Sequence, residues 1–212
     1  MELQYYGANC IKITTKAATF VIDDNLVDLG KKVNIKPKDV SLFTTKSAGL
    51  DVDGIGFVIN SAGEYEVSNA SIVGITSRSH MAEDPKDKSS VVYKFVYDDV
   101  RICIVGHIYP DLSENQLETI GTVDILIIPV GGNGYTLDPV GAAKLIRKIE
   151  PKMIIPTHFD SKDVKYEVPQ RTLEDAIREL GIEARPEVDK LKFKSGEMFE
   201  GVICIQPLIE QK

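Results

Sequence analysis

The sequence predicts an α/β fold. The first half reads as one short strand after another, a hairpin closes that run, and the pattern then changes to strand, helix, strand, helix, strand. A length of 212 residues with 43% apolar content suits one sizeable domain spanning 1–212, with a substantial core.

The early strands are expected at Leu3–Tyr6, Cys10–Thr15, Thr19–Ile22, Val40–Thr44, Gly56–Ile59, Glu64–Val67 and Ser71–Thr76, separated by Gly, Asn, Lys and Asp. Short strands broken by turn residues predict antiparallel pairing. Val91–Tyr97 and Val100–Val105 follow as a hairpin turning at Asp98-Asp99. Ser113 with Gln116 forms a capping box, and Leu117, Ile120 and the stop Gly121 complete a short helix. Val123–Val130 is almost continuously apolar, which indicates a strand buried on both faces. After Gly131-Gly132-Asn133-Gly134-Tyr135, Asp138 caps and Pro139 starts a helix with an expected apolar stripe at Val140, Ala143, Ile146 and Ile149. Lys152–Pro156 is the next strand, Thr172 to Gly181 a last helix, and Gly201–Leu208 a last strand.

A net charge of −7, without long acidic or basic runs, argues against nucleic-acid or anionic-membrane binding. No leader pattern opens the chain and no apolar stretch approaches about 18 residues, so a cytoplasmic location is expected. Cys10, Cys103 and Cys204 lie in apolar runs without C-x-x-C spacing and read as small core residues.

Candidate chemistry centres on three histidines, His80, His107 and His158. His107 and His158 follow strand-like runs, and ligands collect at the carboxyl ends of strands in open α/β sheets. Right-handed crossovers would set His107, the glycine loop and His158 side by side. The loop Gly131, Gly132, Asn133 and Gly134, ahead of the helix starting at Pro139, is the candidate seat for a small anion. Ser47 has neither a nearby histidine nor a G-x-S-x-G elbow, so nucleophilic catalysis is unsupported. Lys46 and Lys162 read as solvated surface residues.

Six segments carry a resemblance to a known family: 2–7, 19–23, 63–67, 102–106, 123–132 and Ile154-Ile155-Pro156-Thr157-His158. In combination they resemble the metallo-β-lactamase superfamily, nearest the branch of Zn-dependent hydrolases similar to ascorbate-6-phosphate lactonase. The resemblance implies an αββα four-layer sandwich of two mixed sheets with metals at one edge. Members that bind two metals carry H-x-H-x-D-H after the strand equivalent to Val40–Thr44, where this chain reads Thr45-Lys46-Ser47-Ala48-Gly49-Leu50. His107 stands at the bridging aspartate's position, and Ala8 replaces a histidine common near the first turn. His80 and His158 match retained ligand positions, and Asp23 matches a residue that supports the site from behind the ligands.

The resemblance with its departures predicts a divergent, non-catalytic relative that binds a small anionic molecule or a partner and holds no catalytic metal tightly. The alternative is one zinc or other divalent ion on His80, His107 and His158, hydrolysing a phosphorylated or lactone-type small molecule. Oligomeric state is left open by the sequence.

Overall fold

The computed structural model describes residues 1–45, 56–194 and 200–207. The stretch Lys46–Leu50, including Ser47, and the end of the expected last strand at Leu208 lie outside the described residues. In chain order the first strands are β1 (Glu2–Gly7), β2 (Cys10–Thr14), β3 (Thr19–Ile22), β4 (Val40–Leu42) and β5 (Phe57–Ile59). They are followed by β6 (Gly63–Val67), β7 (Ala70–Ser77), β8 (Ser90–Tyr97) and β9 (Val100–Ile104). The remaining elements are α1 (Glu114–Ile120), β10 (Ile125–Pro129), α2 (Pro139–Ile149), β11 (Met153–Thr157), α3 (Leu173–Leu180), β12 (Leu191–Lys192) and β13 (Gly201–Val202).

Two mixed sheets result. One has the order β12-β1-β2-β3-β4-β5, the other β13-β11-β10-β9-β8-β7-β6. The expectation of an antiparallel first half holds for β1, β2 and β3, but β3–β4 and β4–β5 pair in parallel. The physical reason is chain length. Parallel neighbours need a crossover of roughly a dozen residues, and the connections from Ile22 to Val40 and from Leu42 to Phe57 supply it.

Alternation along the strands divides the apolar residues between two layers. Ile11, Ile13, Phe20 and Ile22 face the main core, where Phe20 meets Phe95 of the opposite sheet edge to face at 4.9 Å. Cys10 and Val21 point the other way, into a smaller cluster with Ala8, Leu26, Ile35 and Phe43. Leu26 and Ile35 belong to the irregular segment after β3, so this segment covers the outer face of the first sheet. Among the described residues, α2 packs on β10 and on α1 and α3, placing the helices against the second sheet. All three cysteines are buried thiols. No helix among the described residues is long and apolar enough to cross a membrane.

Local chemistry explains the elements around the site. Asp98 and Asp99 take φ 49° and 63°, the left-handed pair that a two-residue hairpin needs. Ser113 and Gln116 form the reciprocal capping box of α1, and Gln116 also donates to the Thr76 carbonyl. Asp138 accepts from the Gly141 N–H to start α2. The expected α2 stripe is displaced, however. Val140 is 61% exposed, and the buried line runs Ala142, Leu145, Ile146 and Ile149. A three-residue spacing drifts around a helix, whereas i, i+3, i+4, i+7 stays on one face. Leu145→Ala is therefore expected to cost about 2–5 kcal/mol and Val140→Ala about 0.5 kcal/mol or less, read by urea denaturation. Equal costs would put the helix in the wrong rotation.

β9, β10 and β11 lie parallel and adjacent. Their ladder runs past the strand ends, with Val105 N–H donating to Ile127 and Val130 N–H to Thr157. The residues that emerge beyond it, His107, Gly131 and His158, share one rim.

Candidate functional site

The rim is tied to the first sheet by close backbone contact. Asp23 follows β3 with φ 46°, and its carboxylate accepts from the Thr44 N–H at 2.7 Å and the Thr44 hydroxyl at 2.6 Å. Thr44 then sits on Gly106, where an added Cβ would lie 1.8 Å from the threonine Oγ1. Only glycine fits before His107. Across the rim, His158 has φ 54°, and its N–H is shared between the Ala8 carbonyl at 2.8 Å and the Tyr5 hydroxyl at 3.1 Å. Ala8 is itself left-handed at φ 47°. Three non-glycine residues in this sparsely allowed region, Ala8, Asp23 and His158, all line one cavity, and such conformations concentrate where the surroundings over-determine the backbone.

The cavity has a volume of about 210 Å³. His107 and His158 stand ring to ring in its wall, centroids 4.8 Å apart and planes 88° apart, flanked by Tyr135 and Tyr166. Asn9, Asn25 and Gln170 contribute amides, and Asp23, Asp28 and Glu167 contribute carboxylates. Among the described residues, no lysine or arginine lines it.

Hydrogen bonds fix the protonation pattern. The Gln170 Nε2 donates to the Val168 carbonyl, so its Oε1 is the atom facing His158 Nδ1 at 3.2 Å. An amide oxygen only accepts; His158 therefore carries its proton on Nδ1 and presents a lone pair on Nε2. The same logic applies to His80, whose Nδ1 faces the Ile108 carbonyl at 3.2 Å. Burial pushes His158 down to about 4, against the hydrogen bond to Gln170. Burial and then the His158 ring push His107 down to about 3, against a backbone contact with Tyr135. Both rings are neutral at pH 7.

Gln170→Leu should release this pattern. The His158 ring is expected to populate the Nε2–H tautomer, visible in its ring ¹⁵N shifts, with about 1–3 kcal/mol lost because a buried N–H loses its acceptor. An unchanged tautomer would show that something other than Gln170 sets it.

Three polar atoms near the cavity are buried and unpartnered: Asn9 Nδ2, Asn25 Oδ1 and His107 Nδ1. Asn9 Oδ1 is engaged by the Thr157 hydroxyl at 3.0 Å, which leaves only the amide N–H₂ end free.

The candidates read from the sequence are brought together only in part. His107, His158 and Asp23 share the cavity. His80 lies outside its wall, tied by its N–H to the His107 carbonyl at 2.9 Å and by its ring to Ile108. Among the described residues, no three His, Cys, Asp or Glu side chains gather as a set able to hold a metal ion. Gly131, Gly132, Asn133 and Gly134 are not in the wall either; Tyr135 is. Gly131 supports the site differently, since a Cβ there would lie 1.9 Å from the His158 carbonyl oxygen and 2.4 Å from Gln170 Oε1. The Asn133 side chain donates to the Pro169 carbonyl, and Gly132 N–H to that of Leu137. The glycines allow close approach between two loops, a role that adjacent glycines fulfil as readily as anion binding. Sequence reasoning missed Asn9, Asn25, Tyr166 and Gln170. Asn9 alone had a signal, being next to Ala8 at the first turn.

Two mixed sheets with a histidine-bearing rim at the carboxyl ends of parallel strands define the class, and the chain belongs to the metallo-β-lactamase superfamily. The family profile described as the β-lactamase superfamily domain matches residues 2–158. Among curated proteins, the chain is similar to a UPF0173 metal-dependent hydrolase of Pyrococcus horikoshii, 24% identical over 145 residues, covering 64% of this chain and 54% of the relative. A UPF0173 metal-dependent hydrolase of Thermococcus onnurineus is 28% identical over 112 residues, covering 51% and 49%. The matches thus span about half the length of these relatives. Among solved structures, a metallo-β-lactamase superfamily protein from Thermotoga maritima superposes with a TM-score of 0.77 at 22% identity, covering 96% of this chain and 97% of its own. A metallo hydrolase from Ignicoccus hospitalis gives 0.62 at 12% identity, covering 97% and 95%. These likenesses show the fold.

Proposed function

We propose that this chain is a divergent member of the superfamily whose cavity binds a small molecule and which does not carry out binuclear metal-dependent hydrolysis. The observation that carries this reading is the cavity wall. It holds two neutral imidazoles beside two tyrosine rings, while among the described residues no three metal-ligating side chains converge. The sequence supports it, since 45–50 contains neither histidine nor aspartate. Two adjacent divalent ions need several anionic or imidazole ligands, and the described residues do not fit that requirement. The anionic ligand expected from the glycine loop finds no cationic side chain among the described lining residues.

A second reading is favoured by one observation. His80 and His158 both have Nδ1 held by an oxygen, the arrangement that orients metal-ligating imidazoles through Nε2. It makes the chain a one-metal hydrolase, in line with relatives described as metal-dependent hydrolases.

Turnover separates the two. The untagged protein, supplied with Zn²⁺ or Mn²⁺ and assayed on phosphodiester, phosphomonoester and lactone substrates, is expected to match its own His158→Ala variant. Turnover that disappears in His158→Ala would overturn the proposal.

A further inference from the structure

His158 puts an unmet hydrogen-bond acceptor into the cavity wall. The residue is 2% exposed, and Gln170 holds its proton on Nδ1, which leaves the lone pair on Nε2. Among the described residues Nε2 has no partner, yet it is not closed off as Asn9 Nδ2, Asn25 Oδ1 and His107 Nδ1 are. A buried acceptor that a ligand can reach asks for an O–H or N–H. Charge narrows the choice. A carboxylate or phosphate only accepts, so it would set its oxygens against this lone pair, and no lysine or arginine among the described lining residues would draw it in. An ammonium group brings three donors to a wall whose acceptors are largely engaged. Thr44 takes both Asp23 oxygens, His158 faces Gln170 Oε1, and the Thr157 hydroxyl takes Asn9 Oδ1. Asp28 and Glu167 are exposed, where water and salt screen them. A charge taken from water without close partners is costly.

From this we infer that the cavity takes a small uncharged alcohol. Its O–H donates to His158 Nε2, its apolar body lies against Leu29 and Val168 of the wall, and no covalent step is involved. A hydroxyl matches this wall because it brings a single donor, has no charge to desolvate and leaves the rest of the molecule apolar. The volume of about 210 Å³, roughly seven water volumes, suits a molecule of only a few heavy atoms. The inference rests on the ligand-binding reading above and names the class of that ligand.

Four molecules of equal heavy-atom count test it: n-butanol, its isomer diethyl ether, butylammonium and propionate, each titrated into the full chain without added metal and followed by NMR. The alcohol is expected to bind saturably and to move the His158 Nε2 resonance while Nδ1 keeps its proton, with each of the other three roughly tenfold weaker. In Gln170→Leu, where the ring turns to Nε2–H, the advantage of the alcohol over the ether is expected to disappear. The series on the native chain decides the class whether or not that variant folds. Ether, butylammonium or propionate binding as tightly as n-butanol, no binding in the series, or an advantage kept by a ring that carries Nε2–H would each overturn the inference. Those failures leave the non-hydrolytic reading standing, whereas turnover lost in His158→Ala removes that reading whatever the alcohol does.

Discussion

Gly131→Ala is expected to destabilise the protein by about 3 kcal/mol or more and to displace His158, although residue 131 touches no ligand-facing surface. The new Cβ would meet the His158 carbonyl oxygen at 1.9 Å and Gln170 Oε1 at 2.4 Å. The first contact is backbone, held by a left-handed residue whose N–H is shared between Ala8 and Tyr5, so it has little freedom to retreat. Overpacking at such a point costs about 1–3 kcal/mol and more when the backbone must move. Gly134 is the control. It has φ +80° and nothing within 4 Å of an added Cβ, so Gly134→Ala carries only the left-handed strain of about 1–2 kcal/mol. Denaturant midpoints compare the two, with the His158 ring shifts as a local reporter. A Gly131→Ala variant no less stable than Gly134→Ala would mean that the two loops are not as close as described.

Asp23 gives the second large effect, a pH dependence of known sign. Burial raises its carboxyl from the ordinary 3.8 to about 6, against the two hydrogen bonds from Thr44. The folded state keeps the proton up to about pH 6, while the unfolded chain releases it near 3.8, so between these values the folded state binds more protons. Stability from this group is therefore greatest below 3.8, falls as pH rises, and is lowest above 6. The interval of roughly two pH units corresponds to about 3 kcal/mol. The buried histidines slope the opposite way, since their folded-state values are depressed, and a difference measurement removes them. The stability of Asp23→Asn minus that of the native chain is expected to rise by about 2.4 kcal/mol from pH 4 to pH 7, because asparagine fills the same space without the charge. A difference that is flat across this range would contradict the buried, charged carboxylate.

Much of this architecture is legible in the residues. The periodic and capped elements read directly: Ser113 with Gln116, Asp138 with Pro139, Thr172 with Gly181, and the apolar β10. What escaped depends on pairing at a distance. Two-residue β12 joins the edge of β1 through Glu2–Lys192 and Leu3–Leu191, and no local pattern marks it. The parallel pairing of β4 and β5 was present only in the lengths of their connections. For the site, the strand-end rule singled out His107 and His158, which share the cavity, while His80 rested on the family resemblance; its ring faces the Ile108 carbonyl. The glycine loop, expected from its place ahead of α2 to seat an anion, packs against Gln170, Asp138 and His158. Gln170 acts through one hydrogen bond from an irregular loop, and such residues leave no periodic trace.

The contrast between membership and wall chemistry makes metal the central question, and metal content answers it most directly. Elemental mass spectrometry on untagged protein, beside His80→Ala, His107→Ala and His158→Ala, is expected to find zinc, iron, manganese and nickel well below one per chain and insensitive to the three substitutions. Close to one ion per chain, lost in all three variants, would contradict the proposal and establish a three-histidine metal centre in its place.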